Sequence, residues 1–146
     1  MSFILDTNII SEFISKNPNQ NVIDYINSID EEKIYISVIT IGEIRFGIER
    51  LDKKYQDKKI ERLIDWLEND LINRFSNRIL DIDTSIMIKW GQISSQAQTI
   101  GKILPIMDSL IASTCLVKDK ILITRNTKDF EQLGIKIINP FNRSNT

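Results

Sequence analysis

No histidine occurs among the 146 residues, and cysteine occurs once. Those two shortages remove a large part of enzyme chemistry. Without histidine there is no Ser-His-Asp or Cys-His relay, no histidine general base and no His-ligated zinc. One cysteine makes neither an internal disulfide nor a closed zinc site. Cys115 stands in the apolar stretch LIASTCLV, which reads as a small core residue rather than a reactive thiol. No apolar run approaches the ~20 residues that a membrane helix needs. The N-terminus lacks the charged region and long apolar stretch of a signal peptide, so a cytoplasmic location is expected. Proline and glycine are few and scattered, with no linker, repeat or low-complexity tract, so residues 1–146 are read as one domain.

What remains is an ordinary folded chain. Apolar residues make up 42% and charged residues 27%, enough for a real core. The net charge of −1 gives no global signal for nucleic acid. The charge is uneven, however. Residues 45–62, RFGIERLDKKYQDKKIER, hold seven basic side chains against four acidic. That stretch is either a locally basic surface or a solvated helix face, with Asp57 and Glu61 opposed by Lys58 and Arg62.

Short β-branched runs alternate with helical spacing. Strands are expected at 3–5, 34–37, 78–82, 120–124 and 136–138. Helices are expected at 7–15, 20–28, 38–51, 56–75, 84–98 and 107–118, with a short one at 127–132. In the fourth of these, Ile60, Leu63, Ile64, Leu67 and Leu71 make one stripe; in 84–98, Ile86, Trp90, Ile93 and Ala97 do so; in 107–118, Met107, Leu110, Ile111 and Cys115 are expected inward. Strand–helix alternation predicts an α/β fold, a parallel sheet between helical layers. Such sheets bind ligands beyond the carboxyl ends of their strands, where helix N-termini also point.

Four acids fall where that rule looks. Asp6 follows the first strand in ILDTNIISEF. Glu43 lies on the helix of SVITIGEIRFG, some 160° from Ile41 at about 100° per residue, so it need not be a core charge. Asp108 opens a helix in PIMDSLIAS, and Asp129 follows the fourth strand in TRNTKDF. Each has a plain alternative. Asp6 and Asp108 are good helix caps, Glu43 is a surface glutamate, and Asp129 starts a short helix or pairs with Lys128 or Arg125. Should Thr7 or Asn8 start the first helix, Asp6 is left free. Together the four suggest more. Converged carboxylates raise one another's pKa unless a cation sits among them, and all-oxygen ligands favour Mg²⁺ or Mn²⁺. Such a site suits phosphodiester hydrolysis without histidine.

The ordered set DTN…SVITIGEIRFG…PIMDSLIAS…LITRNTKDF resembles PIN-domain nucleases, and among them the VapC-type toxins of bacterial toxin–antitoxin pairs. The resemblance runs from Phe3 to about Phe141. It implies a three-layer α/β/α sandwich with a mostly parallel, about five-stranded sheet, and an Mg²⁺- or Mn²⁺-dependent endoribonuclease. The family's acids fall on Asp6, Glu43, Asp108 and Asp129; Asp6 and Asp108 are the expected direct metal ligands, with Glu43 and Asp129 on waters or a second ion. Thr7 and Asn8 match the first motif, and Thr124 and Asn126 the fourth. Lys102 takes the place of a basic residue before the third acid. The resemblance also implies a homodimer and inhibition by a cognate VapB-type antitoxin. DNA binding belongs to that partner, and no membrane is involved. Phe46, Ile48 and the basic stretch are candidates for the groove that receives it.

Basic residues near the acids are candidates for RNA phosphate: Lys102, Arg125, Lys128 and Arg50, while Arg45, nearer the apolar stripe, is read as an ordinary surface cation. Two other readings compete. One is a non-catalytic RNA- or partner-binding α/β module whose acids only cap helices. The other is a haloacid-dehalogenase-type phosphotransfer enzyme, which needs an acid two residues after the first; here that residue is Asn8, which shuttles no proton.

Overall fold

A computed structural model describes residues 1–142. Five short strands form one sheet: β1 (Phe3–Leu5), β2 (Ile34–Ser37), β3 (Ile79–Leu80), β4 (Ile121–Ile123) and β5 (Ile137–Ile138). Every pairing is parallel, and the order is β3-β2-β1-β4-β5. The chain winds outward from β1 on one side and returns to lay β4 on the other. The switch point therefore lies between the carboxyl ends of β1 and β4.

The helices are α1 (Thr7–Glu12), α2 (Gln20–Asn27), α3 (Val38–Glu49), α4 (Lys53–Asp65), α5 (Ile72–Arg74), α6 (Thr84–Thr99) and α7 (Ile106–Lys118). Side chains alternate across the strands and so feed two cores. Phe3 and Leu5 pack with Ile9, Val22, Ile44 and Leu67 beneath α1–α5. Ile4 and Leu122 pack on the other face with Ile93, Ile111, Ala112 and Cys115 of α6 and α7. The α/β/α sandwich with its parallel five-stranded sheet is thus as expected, and no helix among the described residues is long and apolar enough to cross a membrane. Burial pushes the Cys115 thiol up to about 12, as suits an inert core residue.

Several local expectations change. The helix expected at 7–15 ends at Glu12, and residues 13–17 form turns and bends ahead of Pro18. The helix expected at 56–75 starts close to that point, since the backbone breaks at Gln56 (φ −131°, ψ 23°); ahead of the break is a short turn whose Lys54 N donates to the capping Asp52 side chain at 2.9 Å. The helix then widens into a π-helical turn over Trp66–Leu71. The strand expected at 78–82 shrinks to two residues and the helix at 127–132 to a 3₁₀ turn, Thr127–Asp129. Met107, expected inward, is 50% exposed and lines an open cavity with Val38, Ile39 and Phe46. Among the described residues Asp57, Lys58, Glu61 and Arg62 make no ion pair; the pairs nearby are Arg45 with Glu49 and Glu68, and Lys53 with Glu49.

Candidate active site

The register Leu5↔Ile123 sets the next residues, Asp6 and Thr124, side by side at the switch point. Asp6 N donates to the Ile123 carbonyl at 2.9 Å, continuing the ladder one residue beyond β1. The Asp6 side chain is only 4% exposed, so its carboxylate needs partners. It has three. Thr7 N donates to Oδ1 at 2.8 Å, Thr124 Oγ1 to Oδ2 at 2.8 Å, and Asn8 Nδ2 to Oδ2 at 3.4 Å. Burial raises the pKa of Asp6 and these bonds pull it back; the net direction is upward. Asp6 is itself the N-cap of α1, so the expectation that Thr7 or Asn8 takes that place and frees Asp6 is corrected. Capping and site roles use different oxygens of one carboxylate.

The motif residues tie the four segments together. Thr7 Oγ1 donates to Glu43 Oε1 at 2.6 Å and lies 3.3 Å from Thr40 Oγ1, joining α1 to α3. Asn8 donates to Thr124 Oγ1 at 3.2 Å and accepts from Arg125 N at 3.1 Å, so both ends of its amide are used. Thr124 Oγ1 accepts from Asn126 N at 3.0 Å, and the Asn126 amide donates to Asp129. Sequence reasoning missed Thr40, which is fully buried against Thr7. A threonine inside a helix carries no signal that it closes a site, whereas Ser37, the cap of α3, stands at a readable strand end.

Asp108 is the third residue of α7 and caps nothing; the N-cap position is Pro105, with no side-chain bond. Its pKa is raised from 3.8 to about 6, chiefly by burial, then by Asp6, Asp129 and Glu43. Glu43 is also raised, by burial first and by Asp6 after. Each of the other three acids is therefore felt at Asp108. The donors are oxygens only, and their charged forms destabilise one another, which is the electrostatic setting a hard divalent cation relieves. Among the described residues no group of three or more His, Cys, Asp or Glu side chains is arranged so that it could hold a metal ion as it stands. It is the all-oxygen donor chemistry that suits a hard ion which keeps several waters of its own.

The basic candidates separate. Lys102 Nζ donates to the Lys128 carbonyl at 3.4 Å, so the loop before α7 meets the turn after β4 that carries Asp129. Arg125 is exposed beside Asn8, its guanidinium 4.8 Å from the Phe141 ring centre. Arg50 ends α3 with its guanidinium over Phe46, roughly 10 Å beyond Glu43 along the axis. Arg45 is taken up by Glu49 and Glu68, each at 3.0 Å, as its reading as a surface cation expects. Ile48 is core, while Phe46 is 67% exposed.

Known proteins share this fold. The PIN domain family profile matches residues 3–136. Toxin FitB of Neisseria gonorrhoeae is 34% identical over 138 residues, covering 94% of this chain and 97% of that protein. A crystal structure of FitAcB from the same organism superposes with a TM-score of 0.89 at 33% identity, covering 97% and 99% of the two chains. VapC ribonuclease Y4jK of Sinorhizobium fredii is 32% identical, covering 94% and 96%. A DNA-bound VapBC structure from Salmonella typhimurium has a TM-score of 0.80 at 28% identity, covering 96% and 98%. With the family profile spanning most of the chain and its acids gathered at the β1–β4 switch point, this chain belongs to the PIN domain family.

Proposed function

We propose that this chain is a metal-dependent endoribonuclease, the toxin of a toxin–antitoxin pair, acting through Asp6, Glu43, Asp108 and Asp129. The observation that carries the proposal is the convergence of four carboxylates from four segments: Asp108, raised to about 6 chiefly by burial, also feels the charges of Asp6, Asp129 and Glu43. Relatives named as a VapC ribonuclease and a toxin support the activity and the role.

PIN-domain nucleases are in general divalent-metal dependent. Here Asp6 and Asp108 would hold a Mg²⁺ or Mn²⁺ ion, with Glu43 and Asp129 completing its surroundings. Such an ion, when bound, acidifies a water and neutralises charge that builds on the phosphate. The chain's own residues prepare the rest. Thr7 N, Thr124 and Asn8 keep Asp6 in one orientation, Thr7 steers Glu43, and Asn126 steers Asp129. In the hydrolysis a water oxygen joins phosphorus as the bond to one ribose oxygen breaks; the water's proton passes to a carboxylate of the cluster, and the leaving ribose oxygen takes up a proton to depart as a hydroxyl. Lys102, Arg125 and Lys128 supply phosphate contacts at the rim.

A cavity of about 350 Å³ between α1 and α3, lined by Ser11, Ile14, Glu43, Gly47, Leu51 and Lys59, suits an inserted segment of a VapB-type antitoxin. Solved relatives described as FitAcB and DNA-bound VapBC support such a complex, with DNA contacted through the partner. A homodimer in the cytoplasm completes the reading.

The test is cleavage of RNA by purified chain freed of antitoxin, with Mn²⁺ present, beside Asp6→Asn. Wild type cuts, and D6N loses on the order of 10²–10⁴ in rate. If neither cuts, the binding-module reading takes over. That reading's one support is the capping bond from Thr7 N to Asp6. The dehalogenase-type reading has none, because Asn8 is clamped at both ends of its amide.

A further inference from the structure

α7 starts without a side-chain cap. Pro105 occupies the N-cap position, and no side chain bonds to the orphan N–H groups of the first turn. That turn nevertheless carries Asp108 at its third position, and its neighbours Ile106 and Met107 are 63% and 50% exposed. Something must hold an exposed, uncapped turn if its carboxylate is to keep one place.

Two bonds from neutral side chains do so. Ser109, 2% exposed, donates its hydroxyl to the Ile106 carbonyl at 2.8 Å, within the turn. The same hydroxyl accepts from Trp90 Nε1 at 2.9 Å. Trp90 belongs to α6, whose side chains pack along α7 in the second core. The two helices run antiparallel, since Trp90 meets the start of α7 while the N-cap of α6, Asp83, meets Lys118 at its end, 3.2 Å away. Indole N–H, serine hydroxyl and Ile106 carbonyl thus form a chain that fixes the Asp108 turn from the neighbouring helix. An indole donates only, so this polarity is set, and the serine proton is directed to Ile106.

We propose that Trp90 is a positioning residue for Asp108, acting through Ser109, and that its N–H sets how well the acid cluster holds a divalent cation. The inference rests on the proposed metal-dependent function. Asp108 is the only one of the four acids with no side-chain or capping hydrogen bond of its own among the described residues, so its placement depends on its backbone. Asp6, Glu43 and Asp129 each have a direct donor.

The experiment measures Mn²⁺ binding to the full chain by calorimetry, with RNA cleavage and melting temperature alongside. Trp90→Phe and Ser109→Ala each weaken Mn²⁺ by several-fold, near the low end of the ~10–100-fold typical of partners behind metal ligands. The double variant is no weaker than the worse single, because both cut one chain of bonds. kcat falls while KM for RNA holds. Trp90→His, which keeps a ring N–H, recovers part of the affinity. Lys118→Met, which removes the tie at the other end of the same helix pair, leaves Mn²⁺ affinity unchanged. Equal affinity in wild type, W90F and S109A overturns the inference while leaving the proposed function standing. So does an equal loss in K118M, which would make helix packing the cause. Failure of wild type to bind Mn²⁺ at all overturns both.

Discussion

Asp6 is at once a helix cap and a site acid, and the residue scale is where that double use is explained. One oxygen takes the Thr7 N–H, as any N-cap does, and the other takes Thr124 and Asn8. Asp108 is the opposite case, an acid near a helix start that caps nothing. Its raised pKa has a consequence for stability. Between 3.8 and about 6 the folded chain holds a proton that the unfolded chain releases. Stability of the metal-free protein therefore falls as pH rises through that window. Asp108→Asn removes the penalty. With a chelator present, the variant melts a few degrees above wild type at about pH 7.5, and the gap closes toward about pH 4. Mn²⁺ then raises wild type and leaves D108N nearly unmoved. Equal melting of the two at both pH values would show that neither burial nor the other acids burden the Asp108 charge. The sequence made Asp6, Asp108, Asp129 and their motif partners legible because they stand at strand ends or helix starts, whereas Glu43, in the middle of α3, stood out by its helix face and the family resemblance. Thr40 and the Trp90–Ser109 bond were not legible, since a helical threonine and a stripe tryptophan look like ordinary core.

At the scale of elements, β1, β2, α6 and α7 were read almost to the residue, and the misses lie at element ends and local irregularities. α6 and α7 fall within one residue of expectation at each end. β3 and β5 are two residues each, shorter than the apolar runs that suggested them, because pairing partners and not propensity decide where a ladder stops. The π-helical turn over Trp66–Leu71 left no mark, as its apolar stripe still reads as helix. The loop joining α6 to α7 shows an element working through backbone shape. Gly101 there has φ +76°, a conformation glycine adopts without strain, and Lys102 follows it to reach the Lys128 carbonyl. This loop presents a cation beside Asp129. Lys102→Glu is expected to weaken RNA binding by roughly tenfold at low salt, and to flatten the salt dependence of log K by about one unit. Filter binding across a salt series reads both. Unchanged affinity and slope would return Lys102 to the ordinary surface.

Across the whole molecule the most informative surface is apolar. Phe46 and Met107, from α3 and α7, share a cavity of about 680 Å³ with Val38, Ile39 and Glu43. Ile103 and Ile106 nearby are 87% and 63% exposed. Soluble monomers seldom leave contiguous apolar surface of this kind open. The proposed homodimer would cover it and bring two acid clusters near one seam. Met107→Glu is then expected to sediment as a monomer where wild type sediments as a dimer, without losing its fold by circular dichroism. A variant that still runs as a dimer would move the interface elsewhere.

By itself the sequence determined the chemistry on offer. With no histidine and one buried cysteine, carboxylates were the groups left for catalysis, and strand–helix alternation determined a parallel sheet with ligands at its carboxyl end. Only the tertiary structure decided that four acids spread from position 6 to position 129 burden one another's charge. The reason is the strand order: laying β4 against β1 sets Asp6 beside Thr124, and it is this long-range pairing, which no local pattern encodes, that makes separate strand ends into one site.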